Sequence, residues 1–226
     1  MQPAFRPPVP QPTVIDGPAG ALEARIEEPV AGVVPAAVGV VCHPHPLYGG
    51  TMQNKVVHTL ARAMQELGVP TLRFNFRGVG HSAGTYDGGV GELEDALAAC
   101  AWARRRWHCD SLWLAGFSFG SAVALQAAAA LRPDALVTVA PPVGRIIVTP
   151  VVRPACPWLI VHGDRDELVD AALVRKWAGD FAPPPRLVVL ADAEHFFHGR
   201  LGELRAAVLE FLADEGDGGG RGGTRA

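Results

Sequence analysis

The stretch SLWLAGFSFGSAVALQAAAALR, residues 111–132, holds a complete strand-and-helix unit. Leu112 to Ala115 are apolar, and the run from Ser111 is strand-length. From Phe119 onward it is rich in alanine, the strongest helix former. Between the two lies Gly116-Phe117-Ser118-Phe119-Gly120, a G-x-S-x-G pattern. With no loop residues to spare, the chain must turn directly from strand to helix. Glycines permit that close approach, and the serine is left at the helix N-terminus, where free N–H groups and the positive end of the dipole favour developing negative charge.

The same alternation runs outward in both directions. Apolar runs rich in Val and Leu recur at 36–42, 71–76, 135–140, 158–163 and 186–191. They are apolar on both faces, as strands of a covered parallel sheet are. Helical stretches are expected at 54–67, 91–107, 119–131, 170–181 and 200–213, each ending near Gly, Pro or a polar cluster. The order predicts an α/β domain over residues 13–213, with a mostly parallel sheet of about eight strands and helices on both faces. Residues 13–30 differ. Two short runs flank Asp16-Gly17 and Ala19-Gly20, which predicts an antiparallel hairpin at the sheet edge. Residues 1–12, with five prolines, read as a flexible segment, and 214–226 (DEGDGGGRGGTRA) as a disordered glycine-rich tail. Ligands of such sheets bind beyond the carboxyl ends of the strands.

Composition narrows the function. Among 226 residues the formal net charge is -3, and 49% are hydrophobic. There is no basic stripe of the kind nucleic-acid binding needs. Arg104-Arg105-Arg106 falls at the end of a predicted helix, where it complements the dipole. The four cysteines form no C-x-x-C pair, so reduced thiols are expected. The N-terminus lacks the pattern of a signal peptide and no apolar stretch is long enough to span a bilayer. A soluble cytoplasmic protein acting on a small molecule, with no membrane or nucleic-acid partner, is the expectation.

A second G-x-S-x-G occurs at Gly80-His81-Ser82-Ala83-Gly84. The strand before it ends several residues earlier, and the glycine-rich AGTYDGGVG follows instead of a helix. Context therefore selects Ser118 as the nucleophile. A serine hydroxyl needs a base, and a histidine whose other ring nitrogen meets a carboxylate can serve. The chain order for this architecture is Ser, then acid, then His. WLIVHGDRDELVD leaves one strand with Asp164, Asp166 and Asp170, and RLVVLADAEHFFHGR leaves the last with His195 and His198. His195 lies a few residues past its strand end and is the expected base, with His198 about one helical turn further on. Asp166 is the preferred acid. Asp164 is its rival, more suited to forming a turn, and Asp170 suits a helix N-cap.

These pieces together resemble the α/β-hydrolase superfamily over about residues 13–213. His43-Pro44-His45-Pro46 with Gly49-Gly50, Phe76-Arg77-Gly78-Val79-Gly80-His81-Ser82, the Ser118 turn, and His162-Gly163-x-x-Asp166 before His195 occur in order. The HPHPLYGG loop is similar to that of a small, lidless bacterial subgroup. The resemblance implies that Asp166 is the acid and that the Ser82 turn is structural. It also implies an oxyanion hole of two backbone N–H groups, one from Phe119 and one from the 43–48 loop. Pro44 and Pro46 have no N–H. His45 or Leu47 must supply it, and Leu47, which precedes the flexible glycine pair, is the favoured donor.

Only the segment Pro141–Pro157, containing five prolines, is available for a lid. An open site suited to small or soluble acyl esters follows. Tyr48, Met52, Phe117 and Phe196 either line an acyl pocket or pack in the core. The reaction expected is two-step acyl transfer through a Ser118 acyl-enzyme, with no cofactor and no metal. Thioester or peptide bonds are alternative substrates on the same triad. Three other readings carry less support. His43, His45 and His162 could ligate zinc, but no carboxylate or cysteine pattern accompanies them. Gly78-x-Gly80-x-x-Ala83 nominally fits a dinucleotide fingerprint but does not open a helix. A non-catalytic member of the fold is the third.

Overall fold

The computed structural model describes residues 9–28, 35–146 and 151–218. In chain order these form β1 (Gln11–Gly17), β2 (Gly20–Glu27), β3 (Val38–Cys42), α1 (Lys55–Glu66), β4 (Thr71–Phe74), α2 (Val90–Trp107), β5 (Leu112–Phe117), α3 (Phe119–Leu131), β6 (Ala135–Val139), β7 (Trp158–Gly163), α4 (Ala171–Gly179), β8 (Arg186–Leu190) and α5 (Leu201–Gly218). One eight-stranded sheet results, in the order β1-β2-β4-β3-β5-β6-β7-β8. β1 and β2 pair antiparallel, and β2 pairs antiparallel with β4. From β4 to β8 every neighbour is parallel.

Strand periodicity explains why the apolar runs lack a polar side. Val40, Leu114, Leu136 and Trp158 stand in one cross-strand row and belong to the core shared with α2, α3 and α4. The adjoining row, Val41, Ala115, Val137 and Leu159, faces the core beneath α1 and α5. Burying each of the larger aliphatic side chains contributes about 1.5–3 kcal/mol. The helix starts are set locally. Asn54 Oδ1 accepts from the N–H of Val56 at 2.8 Å, and Asp170 Oδ1 from that of Ala172 at 2.8 Å, the capping role its sequence position predicts.

The termini depart slightly from the sequence reading. The hairpin starts at Gln11, which pairs with Ile26. The last helix continues to Gly218 instead of stopping at 213. Arg186 on β8 reaches Asp214 at 3.1 Å as well as Glu210, one turn apart on α5. That pairing ties the end of the helix to the edge strand. Residues 1–8 and 219–226 lie outside the described residues, so the character of most of both predicted end segments does too. Residues 140–157 alone join β6 to β7, too short a connection to hold a lid domain. Among the described residues no helix is long and apolar enough to cross a membrane.

The topology fixes where a site can form. The chain passes from β3 to β4 on one side, then from β5 to β6 on the other. A crevice opens at the carboxyl ends of β3 and β5, where the connections diverge. The residues directly beyond those two strands are His43 and Ser118.

Candidate active site

Ser118 is the single residue between β5 and α3, with φ 53° and ψ −119°. A non-glycine residue held there costs on the order of 1–3 kcal/mol, and the surroundings must enforce it. Its N–H donates to Val139 O at 2.8 Å, and its carbonyl accepts from the N–H of Ser121 at 2.9 Å and from Ser121 Oγ at 2.6 Å. Both flanking glycines are required by space. A Cβ on Gly116 would collide with the carbonyl of Gly120, and one on Gly120 with the carbonyls of Cys42 and His43.

The hydroxyl of Ser118 lies 3.0 Å from His195 Nε2, and His195 Nδ1 lies 2.7 Å from Asp166 Oδ2. Three strand ends, those of β5, β7 and β8, thus deliver one hydrogen-bonded chain. Asp166 is fixed on its own loop: its Oδ1 accepts from the N–H groups of Leu168 at 2.8 Å and Val169 at 2.9 Å. Burial favours the neutral acid, but the bond and charge of His195 and those two N–H groups together hold the carboxyl below its usual range. An ionised Asp166 keeps the proton of His195 on Nδ1 and leaves the Nε2 lone pair facing the serine. The imidazole is buried, with its ring 5.2 Å from those of Phe117 and Phe196. Its backbone N–H donates to Glu167 Oε2 at 3.1 Å. That carboxylate, which the sequence reading passed over, ties His195 to the loop of Asp166. Buried His162 donates from Nε2 to Val169 O at 2.9 Å, bracing the far end of the same loop.

The loop after β3 faces this chain. His43 Nδ1 donates to Pro44 O at 2.6 Å, and Nε2 accepts from the N–H of Phe76 at 3.0 Å. Burial lowers its pKa to about 4 against the opposing pull of the Pro44 carbonyl, so the ring is neutral. His45 then caps a short 3-10 turn, Pro46–Tyr48: its Nδ1 accepts from the N–H of Leu47 at 3.2 Å. This corrects the expectation for Leu47. Its N–H is already engaged, because the histidine two residues earlier caps it. Among the described residues the N–H groups of His45 and Phe119 have no acceptor.

A cleft of about 600 Å³ opens over Ser118 and His195. Tyr48 and Phe196 line it, together with Pro142, Arg145, Ile146, Leu168 and Val169, which the sequence reading did not single out. Met52 and Phe117 do not line it. Met52 is buried, its N–H donating to Asn75 Oδ1 at 2.8 Å. Phe117 ends a strand and points to the α1/α5 core, supporting His195 from beneath.

The rival residues have other work. Ser82 Oγ donates to Asn75 O at 2.7 Å and accepts from the N–H of Glu23 at 2.9 Å, so its hydroxyl is spent on joining β2 to the turn after β4. Asp164 is exposed, and His198 points outward towards Glu194. Of the three histidines weighed as metal ligands, His43 has both ring nitrogens bonded within the protein and His162 has one. The Gly78–Ala83 stretch opens no helix; α2 begins only at Val90.

The fold agrees with comparisons to known proteins. The alpha/beta hydrolase domain family matches residues 48–206. An α/β serine hydrolase without a lid from Xanthomonas campestris is 43% identical, superposes with a TM-score of 0.86, and is aligned over 94% of this chain and 97% of its own. An α/β serine hydrolase homologue from Coxiella burnetii is 46% identical with a TM-score of 0.85, over 92% of this chain and 100% of its own. A protein of Rickettsia prowazekii (strain Madrid E) is 34% identical over 211 residues, covering 87% of this chain and 86% of its own length. This chain belongs to the α/β-hydrolase family.

Proposed function

We propose that the protein is a serine hydrolase cleaving small or soluble carboxylic esters through an acyl-enzyme. The observation that carries this reading is the chain Ser118 Oγ–His195–Asp166, with contacts of 3.0 and 2.7 Å, on a serine held in a left-handed turn at a helix N-terminus. His195 takes the proton of Ser118 as the hydroxyl oxygen attacks the ester carbonyl, and the resulting imidazolium is stabilised by Asp166. The tetrahedral oxyanion is received by the N–H of Phe119 and, in place of Leu47, the N–H of His45, both lacking acceptors. Collapse expels the alcohol, which takes the proton from His195. Water, activated by His195, then releases the acid and regenerates the serine. The proposed chemistry uses no cofactor or metal.

The open cleft and the short β6–β7 connection support soluble esters over interfacial lipid. Labelling with a fluorophosphonate probe, followed by peptide mapping, tests the reading. Modification is expected at Ser118 and absent from Ser118→Ala. A folded protein that resists the probe would overturn it and favour a non-catalytic member of the fold.

A further inference from the structure

We propose that the substrate carries an anionic group beyond its scissile bond and that Arg145 recognises it; this rests on the serine-hydrolase reading. Arg145 follows β6 and lines the same cleft as Ser118 and His195. Among the lining residues it alone is permanently charged. Around it the walls are apolar: Tyr48, Ile146, Leu168 and Phe196, all partly exposed.

The guanidinium is held yet unneutralised. Its Nη1 donates to Leu168 O at 3.1 Å, across from the β6 loop to the loop of Asp166. Other arginines at this end of the sheet are paired: Arg165 and Arg200 both reach Asp192. Among the described residues no carboxylate pairs with Arg145. The carboxylates beside its tether are committed elsewhere, Asp166 to His195 and the loop N–H groups, Glu167 to the N–H of His195. A guanidinium has five N–H donors, and one bond leaves a planar fork free for a carboxylate or phosphate. An apolar trough ending in such a fork fits an ester with an aliphatic or aromatic body and an anionic tip. An arginine serving only to tether the two loops would give no charge preference.

Paired substrates separate these roles. We would compare 4-nitrophenyl hydrogen adipate with 4-nitrophenyl hexanoate, placing the anion on the acyl side, and 4-carboxyphenyl hexanoate with phenyl hexanoate, placing it on the alcohol side. In one pair the anionic member is expected to lead by about tenfold in kcat/KM, modest because the site is open to solvent. That ratio should fall towards one in Arg145→Gln and with rising salt. A wild-type ratio near one in both pairs, or a ratio unchanged by Arg145→Gln, overturns the proposal. Binding of the same esters to Ser118→Ala, with and without Arg145→Gln, reads the anion site independently of turnover. Arg145-dependent binding in a protein that hydrolyses no ester and resists the fluorophosphonate would retain the anion site and sink the catalytic reading.

Discussion

The chain writes G-x-S-x-G twice, and the two copies end differently. At Gly116–Gly120 a buried strand runs straight into a thirteen-residue helix, and the serine is forced to φ 53° with its hydroxyl aimed at an imidazole. At Gly80–Gly84 the strand has already ended, α2 does not begin until Val90, and the serine hydroxyl is taken up by one backbone carbonyl and one backbone N–H. The five-residue pattern is the same. What separates a candidate nucleophile from a structural pin is the element that follows and whether the hydroxyl is left with a base or saturated by the backbone.

Four substitutions would break or sharpen this contrast. Ser118→Ala should reduce ester turnover by about 10⁶-fold while leaving the urea midpoint nearly unchanged, since the hydroxyl's one bond is to His195 and none is to the backbone; residual turnover near wild type would dissolve the distinction between the copies. Asp166→Asn should lower kcat/KM by about 10⁴-fold, because the amide no longer fixes the proton of His195 on Nδ1; steady-state kinetics on a chromogenic ester read it directly. Ser82→Ala should do the reverse of Ser118→Ala. Fluorophosphonate labelling persists, but denaturant unfolding shows a loss of about 2–3 kcal/mol as the Asn75 carbonyl and the Glu23 N–H lose their partner. The smallest effect joins the two regions. His43 links the loop facing Ser118 to Phe76, which leads into the Ser82 turn. Its folded pKa is lowered to about 4 from 6.5. The unfolded chain therefore takes up a proton below pH 6.5 that the folded chain refuses until about pH 4. Stability is full above pH 6.5 and falls as pH drops, by about 2 kcal/mol between pH 7 and 5. His43→Gln should remove that share of the slope and leave the share of His58, whose pKa is also lowered to about 4; an unchanged slope in urea titrations at the two pH values would place the titration elsewhere.

Much of this was legible before any coordinates. Strand and helix positions followed from apolar runs and their punctuation, because buried parallel strands and capped helices leave strong local signals. That Ser118, Asp166 and His195 would lie together was readable because each falls just past a strand end in a fixed chain order. The cleft walls were less so. Phe117 adjoins the serine in sequence, but alternation along β5 turns it to the opposite face. Met52 is drawn inward by Asn75, a contact spanning an entire βα unit. Leu47 lost its candidacy to a side chain, since His45 caps its N–H, and a rule based on backbone donors alone does not register that. Arg145 and Ile146 went unnoticed although they lie shortly after β6, where the strand-end rule itself directs attention. Glu167, whose partner is a backbone N–H 28 residues away, leaves no local trace.

Asp166 binds its own loop as well as His195. One oxygen closes the turn through Leu168 and Val169, the other meets the imidazole. In evolutionary terms the two duties make this carboxylate hard to lose. A lineage with no further need of the reaction can exchange Ser118 for a small residue at little expense to folding. Exchanging Asp166 unties the turn through Leu168 and Val169 as well, and selection for a folded chain resists it. Under the proposed mechanism, descendants that abandon catalysis should therefore forfeit Ser118 first and carry Asp166 long afterwards.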